Sequence, residues 1–197
     1  MRSRTLPSLP GRCHLCYLKV ELCLCARIPR VATRFGLVLL RHSREAPKST
    51  NTARIAALAL PQAQLWSYDG PTPELDATLR ALPAPWLLFP DGEPLQPGAP
   101  GTLVVLDGTW RQTRRMFSRV EALQTLRRVS LPPPRIDRER LRRAPSPEGV
   151  STLEAIAAAV ALLEGEAAGE ALFALHQEMV RRVLQGRGQR AREPLAL

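Results

Sequence analysis

The chain has 197 residues, of which 45% are hydrophobic, and this composition is typical of a folded globular protein rather than a disordered one. It carries 28 basic and 18 acidic residues, with a formal net charge of +10 and a pI near 10.8. Such an excess favours a polyanionic partner, most simply a nucleic acid, although a GC-rich genome also enriches arginine. We expect anion binding because the excess is clustered, with eleven arginines between Arg111 and Arg143.

The sequence predicts neither export nor membrane insertion. The arginines of residues 1–10 precede no apolar run of signal-peptide length, and no segment approaches the roughly 20 apolar residues of a transmembrane helix. We therefore expect a cytoplasmic protein without a membrane partner. Thiols in that compartment are kept reduced, so disulfide bonds are not expected.

All four cysteines lie close together in a C-x2-C-x6-C-x-C array, made by Cys13, Cys16, Cys23 and Cys25. Clustered thiolates suit tetrahedral zinc, because the first pair can chelate from a tight turn and the second pair closes the site. Free thiols or a redox pair are the alternative. His14 either substitutes as a ligand or is a spectator beside the metal. A closed four-thiolate site leaves no open position for a substrate, so the array predicts a structural zinc module over residues 1–30.

Strands and helices are predicted to alternate after this module. Residues 34–41 form a continuous apolar run, as expected of a strand that is buried on both faces. The polar loop 42–52 then leads to a helix at 53–60, with good helix caps at 49–51. Amide groups exposed in such a loop suit an anionic ligand group, although an ordinary capped loop fits the pattern equally well.

Two further strands are predicted at 64–68 and 86–89, with a helix at 74–82 between them. Pro90, Asp91 and Gly92 follow the second of these strands and indicate another loop at a strand end. A connection rich in Pro and Gly then leads to the next strand.

A carboxylate ends the strand predicted at 103–107. Thr109 and Gln112 match the capping-box pattern, so a helix is expected to start directly after Gly108. Asp107 therefore lies at a strand-to-helix junction. Ligands of α/β proteins bind outside the carboxyl ends of parallel strands, which makes Asp107 a candidate functional residue.

The last predicted elements are a strand at 127–131, a helix that begins with a second capping box at Ser151 and Glu154, and a helix at 170–184. The alternation of elements favours one α/β domain with a mainly parallel sheet.

Two segments are not expected to pack in the core. Residues 132–149 are rich in Pro and Arg and are predicted to form a mobile or RNA-facing loop. Residues 188–197 are predicted to be a basic flexible tail, which leaves 31–187 as the main domain.

Five sequence motifs occur in one order over about residues 13–165: the cysteine array, HSREAPKSTNT, LLFPDGE, VVLDGTWRQTRRM and GVSTLEA. This order resembles the DTW-domain family, named for its Asp-x-Thr-Trp motif, whose members are tRNA-uridine aminocarboxypropyltransferases. The resemblance implies transfer of the 3-amino-3-carboxypropyl group of S-adenosylmethionine to N3 of a tRNA uridine, with methylthioadenosine as the second product. It also implies a SPOUT-like α/β fold with a carboxy-terminal knot.

The resemblance assigns candidate site residues one motif at a time. The matching residues are Asp107, Gly108, Thr109 and Trp110 of the signature, Ser151, Thr152 and Glu154 of an S-T-x-E segment, and His42, Glu45, Thr50, Asn51 and Thr52 of the early loop. The residues expected to bind the donor are Thr50, Asn51, Thr52, Phe89, Pro90, Asp91, Leu106, Gly108, Thr109, Trp110, Ser151, Thr152 and Glu154.

Asp107 is the candidate general base, because a carboxylate within hydrogen-bond reach can take the N3 proton as N3 attacks the methylene carbon beside the sulfonium. Alternatively, it orients the uracil or the donor. Trp110 is expected either to stack on a base or to anchor the core. The arginines predicted to hold tRNA phosphates are Arg111, Arg114, Arg115, Arg138, Arg142 and Arg143.

Two other functions compete with this interpretation. One is an RNA methyltransferase of the same broad fold, and the other is a zinc-containing RNA-binding protein without catalysis. The sequence leaves open whether the protein is a monomer or a homodimer.

Overall fold

A parallel sheet lies at the centre of the structure, a computed structural model that describes residues 9–98, 100–133 and 150–188. Within these residues five strands form one sheet in the order β2-β1-β4-β3-β5, and every neighbouring pair is parallel. The strands are β1 (Gly36–His42), β2 (Ala63–Tyr68), β3 (Pro85–Pro94), β4 (Thr102–Asp107) and β5 (Arg127–Ser130). The predicted α/β class with a parallel sheet is therefore confirmed.

Helices connect the strands and cover the sheet. They are α1 (Thr52–Ala59), α2 (Pro73–Arg80), α3 (Trp110–Arg119), α4 (Glu121–Thr125), α5 (Thr152–Glu164) and α6 (Glu166–Gly186). Helix α4 was not predicted, and α6 begins four residues earlier than the predicted 170. The early start is possible because Gly165 adopts φ +106, which turns the chain directly from α5 into α6.

The two faces of the sheet bury alternate residues of the same strands. Leu39 and Val105 face a core formed with α1, α5, α6 and the cysteine module. Leu40 and Leu106 face a second core formed with α2, α3 and α4. Burial on both faces explains why β1 and β4 are continuous apolar runs in the sequence.

The prediction that residues 90–92 form a strand-end loop is wrong. Strand β3 continues to Pro94, and its register against β5 shifts between Leu88 and Glu93, which both pair with Val129. The residues between them form a bulge, in which a proline is tolerated because its position needs no ladder N–H. Gly92 is required there, because a Cβ atom would collide with the β5 backbone.

Asp107 lies at a topological switch point of the sheet. Strand β1 is followed in the chain by β2, which lies on one side of the neighbouring pair β1 and β4. Strand β4 is followed by β5, which lies on the other side of that pair. The two strands are neighbours, and Arg41 near the end of β1 pairs in register with Asp107 at the end of β4. Open α/β sheets bind ligands at such a point, outside the carboxyl ends of the strands.

Some sequence predictions concern residues or properties that the fold does not test. Residues 134–149 and 189–197, which hold most of the predicted RNA-facing loop and tail, lie outside the described residues. The carboxy-terminal knot and the division into 1–30 and 31–187 stay predictions. No helix in the described ranges combines the length and apolar character that a bilayer crossing requires.

Candidate active site

Asp107 is held by two side chains from distant parts of the sequence. Asn51 Nδ2 donates a hydrogen bond to Asp107 Oδ2 at 2.6 Å, and Thr152 Oγ1 donates to Asp107 Oδ1 at 2.6 Å. Asn51 caps α1 and Thr152 is the first residue of α5. The structure thus brings three sequence motifs together at one carboxylate.

The surroundings of Asp107 change its acidity. The residue is 4% exposed, and burial is the main cause that raises the pKa of its carboxyl above the ordinary value. The hydrogen bonds from Thr152 and Asn51 act in the opposite direction, as does the charge of Arg41, whereas Glu45 raises the pKa further. A raised pKa makes a carboxylate a stronger base than an exposed aspartate.

Asn51 joins the early loop to both α1 and the carboxylate. Its Oδ1 accepts the backbone N–H of Arg54 at 3.0 Å, which is the amino-terminal cap of α1. Its Nδ2 is therefore left to face Asp107. Glu45 lies in the same loop, is 4% exposed and forms an ion pair with Lys48 at 2.6 Å.

A second polar cluster supports the start of α5. Ser151 N–H donates to Glu154 Oε2 at 2.8 Å and Glu154 N–H donates to Ser151 Oγ at 3.3 Å, so the predicted capping box is confirmed. His176 of α6 lies behind it, with Nε2 at 3.0 Å from Ser151 Oγ and 3.7 Å from Glu154 Oε2.

Sequence analysis did not identify His176 as a functional candidate. Its ring is 1% exposed, and the contact depends on how α6 packs against the start of α5, which local spacing does not report. The cluster is not a nucleophilic triad, because Ser151 and Glu154 approach the same ring nitrogen, whereas a triad carboxylate binds the opposite one. We assign His176 a supporting contact to the helix start.

A cavity of about 780 Å³ opens beside this helix start, a volume within the range of small-molecule sites. The predicted donor-binding residues that line it are Phe89, Pro90, Leu106, Gly108, Trp110, Ser151, Thr152 and Glu154. Apolar residues of α5 and α6 that sequence analysis did not select complete the wall, among them Ala158, Leu162 and Phe173. Sequence analysis missed them because they look like ordinary helix-packing positions.

The remaining predicted donor-binding residues do not line the cavity. Asn51 contacts Asp107 instead, Thr52 is buried as the first residue of α1, and Thr50 is partly buried in the loop before them. Asp91 forms an ion pair with Arg128 at 2.8 Å on the β3 bulge, and Thr109 is exposed and caps α3.

Trp110 lines the cavity and is only partly buried, so the structure does not use it as a core anchor.

Exposed arginines lie along α3, beside the cavity. Arg111, Arg114 and Arg115 are all exposed, and none of them forms a salt bridge with another residue in the described part of the chain. Arg114 also lines the cavity. The other arginines predicted to bind RNA, Arg138, Arg142 and Arg143, lie outside the described residues.

The four cysteine sulfurs form one cluster in which all Sγ atoms lie within 4.8 Å of one another. Cys13 Sγ is 3.5 Å from Cys25 Sγ, and Cys16 Sγ is 3.9 Å from Cys23 Sγ. Tetrahedral zinc with Zn–S bonds of about 2.3 Å separates its sulfurs by about 3.8 Å, so the cluster is compatible with zinc. His14 is not part of the cluster.

The fold and site define an α/β protein in which a ligand-sized cavity and a buried carboxylate share the carboxyl edge of a parallel sheet. The sequence model of the DTW domain matches residues 11–184, and the chain therefore belongs to the DTW family. The resemblance inferred from five motifs is confirmed.

Proteins similar to the chain include two curated relatives and a solved structure. The tRNA-uridine aminocarboxypropyltransferase 2 of Drosophila melanogaster is 32% identical over 172 residues, which cover 80% of this chain and 68% of that protein. The protein of the same name from Macaca fascicularis is 26% identical over 179 residues, which cover 81% of this chain and 60% of that protein. The structure of the SAM-dependent rRNA:acp-transferase Tsr3 from Vulcanisaeta distributa is 19% identical, with a TM-score of 0.49, and covers 78% of this chain and 80% of its own. That structural likeness is too low to support a functional conclusion.

Proposed function

We propose that the protein is a tRNA-uridine aminocarboxypropyltransferase, which transfers the 3-amino-3-carboxypropyl group of S-adenosylmethionine to N3 of a uridine. Membership of the DTW family and 32% identity to the Drosophila melanogaster enzyme support this activity. The observation that carries this proposal is that one residue, Thr152, connects a buried carboxylate to a ligand-sized cavity. Thr152 lines the cavity and donates to Asp107 at 2.6 Å.

The cavity has the chemistry of a site for the donor. Its apolar residues from β3, β4, α5 and α6 suit the adenine ring and the thioether carbons, and its volume of about 780 Å³ is ample for the molecule. The first turn of α5, which begins at Thr152, has backbone amides without an intrahelical acceptor, and these suit the donor carboxylate. Glu166 and Glu170 also line the cavity and favour the positive ammonium and sulfonium groups.

Asp107 is proposed to act on the acceptor. N3 of uridine attacks the methylene carbon attached to sulfur, the carbon–sulfur bond breaks, and its electron pair stays on sulfur in methylthioadenosine. Each Asp107 oxygen accepts one protein hydrogen bond and keeps capacity for another, so the carboxylate can receive the N3 proton. The alternative is that Asp107 orients the uracil while water takes that proton.

The arginines are proposed to hold the tRNA backbone. Arg111, Arg114 and Arg115 form an exposed basic surface along α3, next to the cavity. Arg138, Arg142 and Arg143 are proposed to contribute to the same binding. Contacts of this kind give affinity and orientation without sequence specificity, and they weaken as salt concentration rises.

The cysteine cluster is proposed to bind one structural zinc ion through Cys13, Cys16, Cys23 and Cys25. Four thiolates complete the tetrahedral coordination, so no reaction step passes through the metal. Elemental analysis of freshly purified protein should find one zinc per chain, and its absence would remove this part of the proposal. A SPOUT-like classification, a carboxy-terminal knot and a cytoplasmic location are included in the proposal as well.

Nucleoside mass spectrometry tests the activity against its two rivals. Purified protein is incubated with unmodified tRNA and S-adenosylmethionine, beside the Asp107→Asn variant as a matched control. We expect aminocarboxypropyluridine and methylthioadenosine in equal amounts with the native protein, and at least about a hundredfold less of both products with the variant. Methyluridine with S-adenosylhomocysteine would establish the methyltransferase instead, and tRNA binding without any modified nucleoside would establish the binding protein.

A further inference from the structure

The side chain of Arg54 in α1 contacts two separate parts of the chain. It is 6% exposed, and its guanidinium donates to the carbonyl oxygen of Lys48 at 3.2 Å and to the carbonyl oxygen of Ala46. The same guanidinium lies 4.1 Å from the centre of the Tyr17 ring. Tyr17 directly follows Cys16 of the cysteine cluster, so one side chain joins that cluster to the loop before α1.

The loop contacted by Arg54 ends at the residue that holds Asp107. Three backbone hydrogen bonds order it, from the amides of Ala46, Lys48 and Asn51 to carbonyls earlier in the loop, with lengths of 3.0 to 3.2 Å. Asn51 then donates to Asp107 and accepts the backbone N–H of Arg54. The backbone and side chain of Arg54 therefore fix both ends of the segment 46–51.

Tyr17 is a fixed platform for the guanidinium. Its ring belongs to a residue that is 4% exposed, its N–H donates to the Cys13 carbonyl at 3.0 Å, and its own carbonyl accepts from Arg12 at 3.0 Å. A cation over an aromatic face is attracted to it most strongly where water is excluded. Burial, followed by the charge of Arg41, lowers the pKa of Arg54 to about 10, so the side chain is still a cation at neutral pH.

We propose that Arg54 is a positioning residue that couples the order of the cysteine module, through Tyr17, to Asn51 and so to the orientation of Asp107. The cysteine module then does more than stabilise the amino terminus, because its Tyr17 supports the loop that carries Asn51, a hydrogen-bond donor to Asp107. The kinetic consequence rests on the proposed function, whereas the structural consequence does not.

Hydrogen exchange tests the structural consequence without any substrate. The variants Arg54→Met and Tyr17→Leu are compared with Arg80→Met, a control that removes an exposed arginine at the end of α2. We expect the hydrogen-bonded amides of Ala46, Lys48 and Asn51 to exchange at least about tenfold faster in both test variants and at the native rate in the control, with zinc content unchanged. Native exchange rates across 46–51 in both test variants would overturn the proposal. Tyr17→Leu removes only the ring under Arg54 and none of the groups that hydrogen-bond to it, so it remains informative if Arg54→Met fails to fold.

Steady-state kinetics test the positioning role. Because Arg54 does not line the cavity, Arg54→Met should lower kcat by about tenfold or more while KM for the donor changes by less than about twofold. Arg54→Lys should recover part of kcat, because lysine keeps the charge over Tyr17 but cannot span both carbonyls. Combining Arg54→Met with Asn51→Ala should cost no more than Asn51→Ala alone, since both act through one contact. Fully additive losses, or an unchanged kcat, would overturn the coupling; an inactive native protein would instead count against the proposed function.

Discussion

The two capping boxes have the same sequence pattern and nearly the same local geometry. Only the box of Ser151 and Glu154 is buried against another helix, where it contacts His176. In both, the backbone N–H of the third helical residue donates to the cap hydroxyl at 3.3 Å. Thr109 is exposed at the start of α3, whereas Glu154 of the second box is 7% exposed and lies against His176. The pattern therefore predicts where a helix begins, and the surrounding elements decide what that helix start can do.

The position of each box relative to Asp107 makes the functional difference. The residue after Ser151 is Thr152, whose hydroxyl donates to Asp107. The residue after Thr109 is Trp110, whose side chain lines the cavity rather than the carboxylate. The start of α5 thus links the proposed donor site to the proposed base, and substitutions at Asp107 and at the two helix starts test that asymmetry.

The largest expected effect is that of Asp107→Ala. Loss of the central carboxylate should lower kcat by about 10² to 10⁴, the range of general acid–base catalysis. Donor affinity should remain within a few-fold of native, because Asp107 does not line the cavity. Single-turnover kinetics and calorimetric titration with S-adenosylmethionine measure the two quantities. A variant that retains more than about a tenth of native kcat would show that Asp107 is not the base.

Thr152→Val should have the next largest effect. It removes one hydrogen bond to a charged group, which is worth about 1.5–3 kcal/mol, so kcat should fall by roughly 10- to 150-fold. Thr78→Val is the matched control, because that hydroxyl donates to the Glu74 carbonyl on the exposed surface of α2. Equal kcat values for the two variants would contradict a role for the Thr152 contact.

The two caps should differ in their contribution to stability. Thr109→Ala should lower the free energy of unfolding by about 1 kcal/mol, the typical contribution of an exposed helix cap. Ser151→Ala should cost about 2–4 kcal/mol, because it also removes a buried contact of His176. Urea unfolding of both variants with a shared m-value measures the difference. Equal losses would show that burial and His176 add nothing to the second cap.

The smallest expected effect is a pH dependence of stability from Asp107. Its folded-state pKa is raised by burial, so the protonated carboxyl favours the folded state. The contribution is fully present below the unfolded-state pKa and is lost as pH rises through the raised folded-state pKa. Free energies of unfolding of native protein and Asp107→Asn, measured across this range, should therefore diverge with rising pH to the disadvantage of the native protein. Parallel curves would mean that burial does not perturb the carboxyl.

The parts of the fold that follow from local sequence were predictable. Strands β1 and β4 are apolar runs because both of their faces are buried, and both capping boxes marked helix starts correctly. The position of Asp107 at the end of a buried strand was also predictable, and it made Asp107 a candidate because a carboxylate there has no role in packing. Its two hydrogen-bond donors also fell within recognisable motifs, although their contact with Asp107 did not follow from those motifs.

The remaining features depend on contacts between distant segments. Pro90 and Gly92 form a local turn pattern, but pairing with β5 carries β3 past them as a bulge. His176 is an unremarkable residue within a helix until α6 packs against Ser151. Arg54 likewise looks like a surface residue of a short helix, and only the cysteine module and the preceding loop bury it.

Transfer from a donor labelled at two positions tests the proposed activity most directly. S-adenosylmethionine carrying one radiolabel in its methyl group and a different one in its carboxyl group is incubated with the protein and unmodified tRNA. We predict that the carboxyl label appears on tRNA uridine and that the methyl label is recovered entirely in methylthioadenosine. Methyl label on the tRNA, with the carboxyl label left in S-adenosylhomocysteine, would contradict aminocarboxypropyl transfer.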